Sequence, residues 1–595
     1  MVRIRVVPFE RILEGQEGEN LFSVFQREAI PLESYCGGMG SCGKCVVRVL
    51  EGKVTPLTVL EREHLGKRGE EGFRLACQVV VLGDVSCDVS PSLQTASFVL
   101  LGDEGERVHE FGDSPIQRKV VLFRKPSLFS VTSLKEELAR EIPIPSFSRP
   151  ALQDLSLLGG RDEVVLEAIW DEREVFALFS PPEEEFLGIA FDLGTTTVAC
   201  ALVDLASQRV LAQEGVLNRQ VRFGADVISR LRAIQDALEN LKTLQRDVLE
   251  TMNELVETLC RRGGWRRDRI FAVTVAGNTI MEHLFLGLSP LSVGVAPFVP
   301  VLREGYLLRA KDVGLLVHPE ASVYVLPCVA GYVGGDVVGG IGALKVHETE
   351  KVTLYIDIGT NGEIVLISRG RILACGTAAG PAFEGAGIRF GMRASQGAIS
   401  AVSFENGEVI MTTIGDLPPQ GICGTGLIDI MAGLLKEHLL SPTGRFQERP
   451  PWSRRFEKEG KDKRFVLSRD PYIYLTQRDV EKLQLALAAM RAGRSILLRE
   501  AGLEEKDIEE VVLAGAFGSF IRPESAKRIG LIPEDTPTRF VGNAALLGAQ
   551  RALLSRNFRK TLEHLARRVE YIELSARRDF EEAFCEGLVL PGATQ

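Results

Sequence analysis

One phrase occurs twice in this 595-residue chain, and the repeat constrains the fold more than any other feature. "FLGIAFDLGTTTVACALVD", from Phe186, reads as strand, tight turn, strand; "VTLYIDIGTNGEIVLIS", from Val352, repeats it, with Asp192 and Asp357 in matching places 165 residues apart. The echo continues. A third strand follows each copy, "RVLAQEG" and then "RILACGT". A long helical stretch comes next in each half, "ADVISRLRAIQDALENLKTLQRDVLETMNELVETLC" and "QLALAAMRAGRSILLREAG". "VTVAGNTIM" pairs with "VVLAGAFGSF", and "VLPCVAGYVGGDVVGGIGAL" pairs loosely with "FVGNAALLGAQRAL". An internal duplication is the simplest account, so this region is expected to fold as two similar α/β halves.

A strand–turn–strand with D-x-G-T offers backbone N–H groups and Thr hydroxyls to an anion. The aspartate cannot meet a phosphate without repulsion, so it must act through Mg²⁺ or an ordered water. Two such turns facing each other would clamp a polyphosphate from both sides. "AGAFG", Ala514 to Gly518, lies between a strand and a helix and would let a nucleoside lie against its backbone; "GICGTGLIDI", with Gly424, Thr425 and Gly426, opens another helix and adds to that wall. One D-x-G-T is a plain hairpin turn; two copies in duplicated halves are specific. The arrangement resembles the acetate and sugar kinase, heat-shock and actin (ASKHA) superfamily of ATPases over about residues 186–555. That resemblance implies Asp192, Gly194, Thr195, Thr196 and Thr197 at one phosphate loop, and Asp357, Gly359, Thr360 and Asn361 at the other. It places Gly515 and Gly518 at the adenosine, with Asp192 and Asp357 as the catalytic acids and ATP with Mg²⁺ as ligands.

"YCGGMGSCGKC", residues 35–45, admits three readings. Its glycines spell G-x-G-x-x-G and nearly spell a P-loop. Both nucleotide motifs need a following helix. Here "KCVVRVLEGKV" follows, with valines in a strand pattern, and Cys45 stands where a P-loop has Ser or Thr. The third reading is a thiolate loop: Cys36, Cys42 and Cys45, joined by Cys77 in "FRLACQ". A tight loop of three cysteines and one remote ligand suits a [2Fe–2S] cluster. Zinc is the rival, but structural zinc usually takes two paired knuckles and the second pair is missing. Cys87, in the alternating "DVSCDVS", reads as a buried strand thiol. Residues 1–92 resemble a β-grasp [2Fe–2S] ferredoxin, with the adrenodoxin-like spacing between the first two cysteines.

Residues 93–184 carry no evident chemistry and read as a small linker domain. "KVVLF", "VVLEAIW" and "EVFALF" are expected strands, and "SLKEELAREI" a short helix capped by Ser133. The expected division is therefore 1–92, 93–184, a first ASKHA half over 185–345, and a second over 346–595 with an insertion and a C-terminal extension: a multidomain chain of α/β and α+β parts.

The charge balance is −10 and basic residues are not clustered; "RRFEKEGKDK" reads as solvated surface. No nucleic-acid or membrane partner is expected. Leu284 to Leu302 is uncharged, but its prolines would break a spanning helix. No signal peptide is visible, and eleven cysteines suit ligands and buried thiols in a cytoplasmic protein. His283 reads as a packed histidine, and Cys375 and Cys423 as buried thiols.

Taken over nearly its whole length, the chain resembles the reductive activators of corrinoid proteins, in which a ferredoxin domain, a linker and an ASKHA ATPase follow in that order. "NRQVRFGADVISR", "VAGNTIMEHLFLG", "AGYVGGDVVGGIGA" and "SARRDFEEAF" carry this likeness. It implies a corrinoid (cobalamin-binding) protein of a methyltransferase system as partner, an upstream reductant, and a homodimer. The implied task is passing one electron from the cluster to stranded Co(II), restoring Co(I). That step runs uphill, and each ~59 mV costs about 1.4 kcal/mol for one electron, so ATP must favour one conformation or complex over another. Two other readings share parts of the pattern: an ATP-dependent activator of a radical dehydratase, which would use cysteines of the ATPase region such as Cys423, and a small-molecule kinase with a fused redox domain.

Overall fold

The computed structural model describes all residues except 29, 31, 33, 35, 37, 41, 93–111, 128, 131, 145, 159, 360, 386, 460–461, 516–520 and 592–595. The N-terminal domain is a mixed five-stranded sheet, ordered β2-β1-β5-β3-β4, from β1 (Val2–Val7), β2 (Arg11–Gly15), β3 (Val46–Val54), β4 (Phe73–Leu75) and β5 (Val81–Asp88). Its centre is the parallel pair β1–β5, and α1 (Leu21–Arg27) buries Leu21, Phe22, Val24 and Phe25 against it. Asn20 caps α1 through Phe22 N and also donates to Cys77 O at 2.9 Å, so the helix start and the remote cysteine are tied together. A second short helix, α2 (Val59–Leu65), carries the buried Glu61, whose carboxylate takes both Nε and Nη2 of Arg74. This is the β-grasp expected for the first segment.

The linker sheet is antiparallel: β6 (Gln117–Arg124), β7 (Glu163–Trp170), β8 (Val175–Phe179). Its helices are α3 (Leu134–Ala139), closed by a capping box from Ser133 to Glu136, and α4 (Arg149–Leu158). All three strands and the capped helix fall where the sequence pattern put them.

The duplicated region forms two six-stranded sheets. The first contains β9 (Leu187–Leu193), β10 (Thr197–Asp204), β11 (Arg209–Leu217), β12 (Ile270–Gly277), β13 (Tyr306–Arg309) and β14 (Ser322–Val325), ordered β11-β10-β9-β12-β14-β13. Its helices are α5 (Val227–Asp236), α6 (Asn240–Gly263), α7 (Thr279–Leu286), the single turn α8 (Ala310–Val313) and α9 (Gly335–Ala343). The second half starts with β15 (Thr353–Ile358), β16 (Gly362–Ser368) and β17 (Arg371–Thr377). It then inserts a small sheet of β18 (Ala398–Glu405), β19 (Glu408–Thr413) and β20 (Gly421–Ile422), helix α10 (Gly424–Lys436), and a meander of β21 (Phe456–Glu459), β22 (Asp462–Arg469) and β23 (Tyr472–Thr476). It resumes with α11 (Gln477–Ala501), β24 (Glu510–Ala514), α12 (Pro523–Arg528), β25 (Thr538–Phe540), α13 (Ala544–Leu554), α14 (Arg556–Arg568) and β26 (Glu570–Tyr571). Its sheet is ordered β25-β24-β15-β16-β17-β26; the run β17-β16-β15-β24-β25 repeats β11-β10-β9-β12-β14, while the sixth strands differ, β13 lying beside β14 and β26 beside β17. Register repeats too: Asp192 lies opposite Ala276, and Asp357 opposite Ala514.

Two local expectations change. The long helical stretch of the first half is two helices, because Ala237 turns to extended backbone and Asn240 Nδ2 takes up the carbonyl of Ala233 at 2.8 Å. "RRFEKEGKDK" is not plain solvated surface: β21 runs through it, and Phe456 packs edge-on to Phe465.

The halves meet where α9 crosses α13. A Cβ at Gly548 would lie 2.4 Å from Gly339 C, so only a bare backbone permits this approach. The linker is fused to the first half through a buried ion pair, Arg269 Nη2 to Glu167 Oε2 at 2.7 Å, both side chains fully buried, with Arg118 as a second cation at 3.3 Å. Replacing Glu167 by Ala strips Arg269 of its close carboxylate partner, leaving only Glu183 at 3.9 Å and the carbonyl of Glu185. The expected loss is about 3–5 kcal/mol, read as a lower denaturant midpoint by circular dichroism.

Candidate functional site

The D-x-G-T turns end β9 and β15, and the opposed sheets bring them to one cavity of about 380 Å³. Its wall contains Asp192, Gly194, Thr195, Thr196 and Thr197 from the first turn, and Asp357, Gly359 and Asn361 from the second. Gly424, Thr425 and Gly515 also line it. Gly426 does not. A Cβ there would meet Ile399 O at 2.3 Å, so this glycine serves the packing of α10 on β18. Thr360 and Gly518 lie outside the described residues.

Four helix N-termini open on the cavity: α7 at Asn278, α9 at Asp336, α10 at Gly424 and α13 at Asn543. Each presents unsatisfied backbone N–H groups and the positive end of a helix dipole, which is the preferred seat of phosphate oxygens. Against them stand buried acids. Burial raises the Asp192 carboxyl to about 7, with Asp357 adding to the effect and a 2.8 Å bond from Asn543 Nδ2 opposing it. Burial likewise lifts Asp357 to about 6, opposed by the Tyr355 hydroxyl at 3.1 Å. Asp336 rises to about 8, from burial and then from Asp357. Glu363 shifts upward for the same reasons. A cavity that combines polyphosphate donors with carboxylates under mutual repulsion suits an anion brought in with a divalent cation.

Further bonds fix the turns. Asn218 Nδ2 donates to Gly194 O at 3.1 Å, Asn278 Nδ2 to Thr195 Oγ1 at 3.0 Å, and Thr196 Oγ1 to Glu384 Oε2 at 3.2 Å. The last of these spans the cleft. Sequence reasoning did not single out Asn278, Asp336, Glu384, Arg393 or Asn543, all of which line the cavity. Asn278 and Asn543 had a signal: each is an Asn standing immediately before a helix, and each caps it.

The second site is the thiol loop. Cys36, Cys45 and Cys77 are buried, and Cys42 is half-buried. They come as two pairs. Cys36 bonds thiol to thiol with Cys42, which with burial pushes the Cys42 thiol up. Cys45 bonds with Cys77; that bond raises Cys45 and draws Cys77 down. Two pairs suit two irons bridged by sulfide, two thiolates to each. Gly43 stands at φ +66° with its α-carbon against the His64 ring, where a Cβ would come within 2.6 Å of Nδ1. Cys87 is a buried β5 thiol raised by burial to about 12. Cys375 and Cys423 are buried as well; the Cys423 thiol donates to Ile399 O at 3.3 Å. His283 is packed, with Nδ1 on Thr279 O and Nε2 accepting from Val301 N.

Comparison with known proteins follows the same division. Residues 4–82 match the 2Fe-2S iron-sulfur cluster binding domain, residues 187–349 the RACo middle region, and residues 351–595 the C-terminal domain of RACo, the ASKHA domain. The chain is 32% identical over 575 residues to the corrinoid activation enzyme RamQ of Eubacterium limosum, covering 93% of each protein. It is 27% identical over 378 residues to a Methanosarcina barkeri reductase of the Co(II) methylated amine-specific corrinoid protein, covering 58% of this chain and 66% of that one. Among solved structures, a reductive activator for corrinoid,iron-sulfur protein superposes with a TM-score of 0.73 at 31% identity, over 99% of this chain and 98% of that one.

The raised carboxyls carry a pH signature. A group that is easier to protonate folded than unfolded stabilises the fold fully below its unfolded value, near pH ~4, and loses that stability as pH rises through the folded value. The nucleotide-free protein should therefore weaken progressively from about pH 4 and level off above about pH 8, once Asp357, Asp192 and Asp336 have all ionised. Asp336→Asn should raise the melting temperature by about 3 °C at pH 8.5 and by clearly less at pH 5, measured by scanning fluorimetry without nucleotide.

Proposed function

The chain belongs to the RACo family of corrinoid activators, and on that premise we propose that it spends ATP, bound between its duplicated halves, on reducing the Co(II) of a corrinoid protein to Co(I). One observation carries the reading. Two thiol pairs and a phosphate-seating cleft share a single chain that aligns over 93% of its length with a corrinoid activation enzyme.

The division of labour follows from the two sites. Cys36 with Cys42, and Cys45 with Cys77, would hold the [2Fe–2S] cluster, which when bound supplies single-electron transfer. Thr195, Thr196, Thr197, Asn361 and the N-termini of α7, α9 and α13 receive the ATP phosphates, and Gly515, with Gly424 and Thr425 at the start of α10, faces the nucleoside end. Asp192, oriented by Asn543, and Asp357, oriented by Tyr355, would hold Mg²⁺, whose chemistry is neutralising phosphate charge. Arg393, buried in the same wall, places a fixed positive charge beside the phosphates. The protein's own work is then mechanical: the α9–α13 crossing lets one half turn on the other, and the energy of closing on nucleotide is available to the complex with the partner.

The finer reading is that the partner belongs to a methyltransferase system, that an upstream reductant reloads the cluster, and that the protein works in the cytoplasm as a homodimer. Among the described residues no helix is long and apolar enough to cross a membrane.

The test mixes purified protein with a Co(II) corrinoid protein, a reductant and Mg-ATP, and follows the Co(I) absorption. Formation of Co(I) should depend on ATP. Asp192→Asn should lower the ATP-dependent rate by about 10²-fold, the scale of one lost electrostatic contact in a transition state. Cys42→Ser should abolish Co(I) formation and bleach the visible spectrum. Equal rates with and without ATP would sink the reading.

A further inference from the structure

The N-terminal domain touches both ATPase halves through α1, α2 and the loop that carries its cysteines. From the first half, Arg222 Nη1 donates to Gln26 O at 2.5 Å while Gln26 Nε2 donates to Arg222 O at 2.6 Å. Cys42 packs on Ala225, and Arg232 Nη1 approaches Met39 Sδ at 3.8 Å. From the second half, Gly391 O accepts Lys44 Nζ, and Arg389 Nη1 donates to Glu63 O. The face holding Met39, Cys42 and Lys44 is thus gripped from two sides.

Both gripping segments begin in the nucleotide cleft. The first holds three successive carbonyls of the phosphate turn: Asn218 Nδ2 bonds Gly194 O, Arg230 Nη2 bonds Thr195 O, and Asn218 N bonds Thr196 O at 2.9 Å. Arg230 is fully buried, so it is a strut between the turn and α5. The second segment starts at Glu384, which accepts the Thr196 hydroxyl across the cleft, and runs through Arg389 and Gly391 to Arg393 on the cavity wall. Met392 N ties it to Ile422 O at 2.9 Å, beside the α10 N-terminus.

We propose that the two lips of the cleft clasp the cysteine-loop face of the N-terminal domain, and that nucleotide entering the cleft releases it. The inference rests on the cleft being the ATP site. A phosphate seated on the first turn competes for the Thr196 hydroxyl and sets negative charge against Glu384. The segment from Glu384 to Arg393 must then give way, and with it the bonds to Lys44 and Glu63. While the clasp holds, Cys42 and Lys44 lie against the protein's own ATPase halves, while Met39 stays exposed at the rim. Release frees the Cys42 and Lys44 side of the loop for a protein partner only when nucleotide is present.

Linkage makes the coupling reciprocal: if nucleotide weakens the clasp, the clasp weakens nucleotide binding by the same factor. The test uses the full-length protein with its cluster, titrated calorimetrically with the non-hydrolysable analogue AMP-PNP and Mg²⁺, alongside hydrogen–deuterium exchange of peptides covering residues 36–46 and 219–232. In the wild type, AMP-PNP should raise exchange in both. The double variant Gln26→Ala with Arg389→Ala, which touches neither the thiols nor the cavity wall, should bind AMP-PNP at least about 5-fold more tightly and exchange rapidly without nucleotide. Glu384→Gln keeps an acceptor for Thr196 but not the charge; it should still bind AMP-PNP while leaving exchange at 36–46 unchanged. Wild-type binding with unchanged or reduced exchange would overturn the clasp and leave the ATP site standing, as would equal affinity in the double variant. Absence of AMP-PNP binding would remove both.

Discussion

The glycine-on-glycine crossing of α9 and α13 is the constraint from which the site follows. Each helix trails the last parallel strand of its own half, so packing them backbone to backbone fixes the two halves against each other and brings both N-termini to one cavity. Thr274 Oγ1 of β12 adds a 2.7 Å bond to Ala549 O of α13, which keeps the crossing in register with the first sheet. The crossing also makes the two aspartates unequal. Asp192 is oriented by Asn543 from the opposite half, whereas Asp357 is oriented by Tyr355 from its own strand. A relative movement of the halves therefore disturbs one acid and spares the other.

The cavity holds opposite electrostatic demands at close range. Helix N-termini favour anions, while Asp192, Asp336, Asp357 and Glu363 repel them and one another. Neither set is comfortable alone in a half-buried space. Polyphosphate brought in with a divalent cation would satisfy both.

The two accessory domains are attached by different physics, and the difference suits their roles. The linker sheet shares an apolar core with the first half, where Phe176, Phe179 and Phe186 surround Phe271, and it buries the Arg269–Glu167 pair at the seam. Breaking such a seam is costly, so the linker moves with the half that carries it. The N-terminal domain is held instead by hydrogen bonds between surface side chains and backbone carbonyls. Each is worth about 1 kcal/mol net, a scale at which a ligand can shift the balance.

The sequence alone determined the duplication, the β-grasp, the grouping of the four cysteines and both D-x-G-T turns, because each is written in local spacing: period-2 strands, a turn chemistry that Gly, Asp and Thr supply, and thiols close together along the chain. It also misled locally. Gly426 shares a glycine-rich phrase with Gly424 yet belongs to the packing of α10, a distinction that depends on which face of a helix meets Ile399. Only the tertiary structure decided that Asp336, Glu384, Arg393 and Asn543, far apart along the chain, converge on the cavity, and that the cysteine loop rests against both ATPase halves. Those placements come from packing between elements distant in sequence, and no local pattern encodes which backbone a helix will lie against.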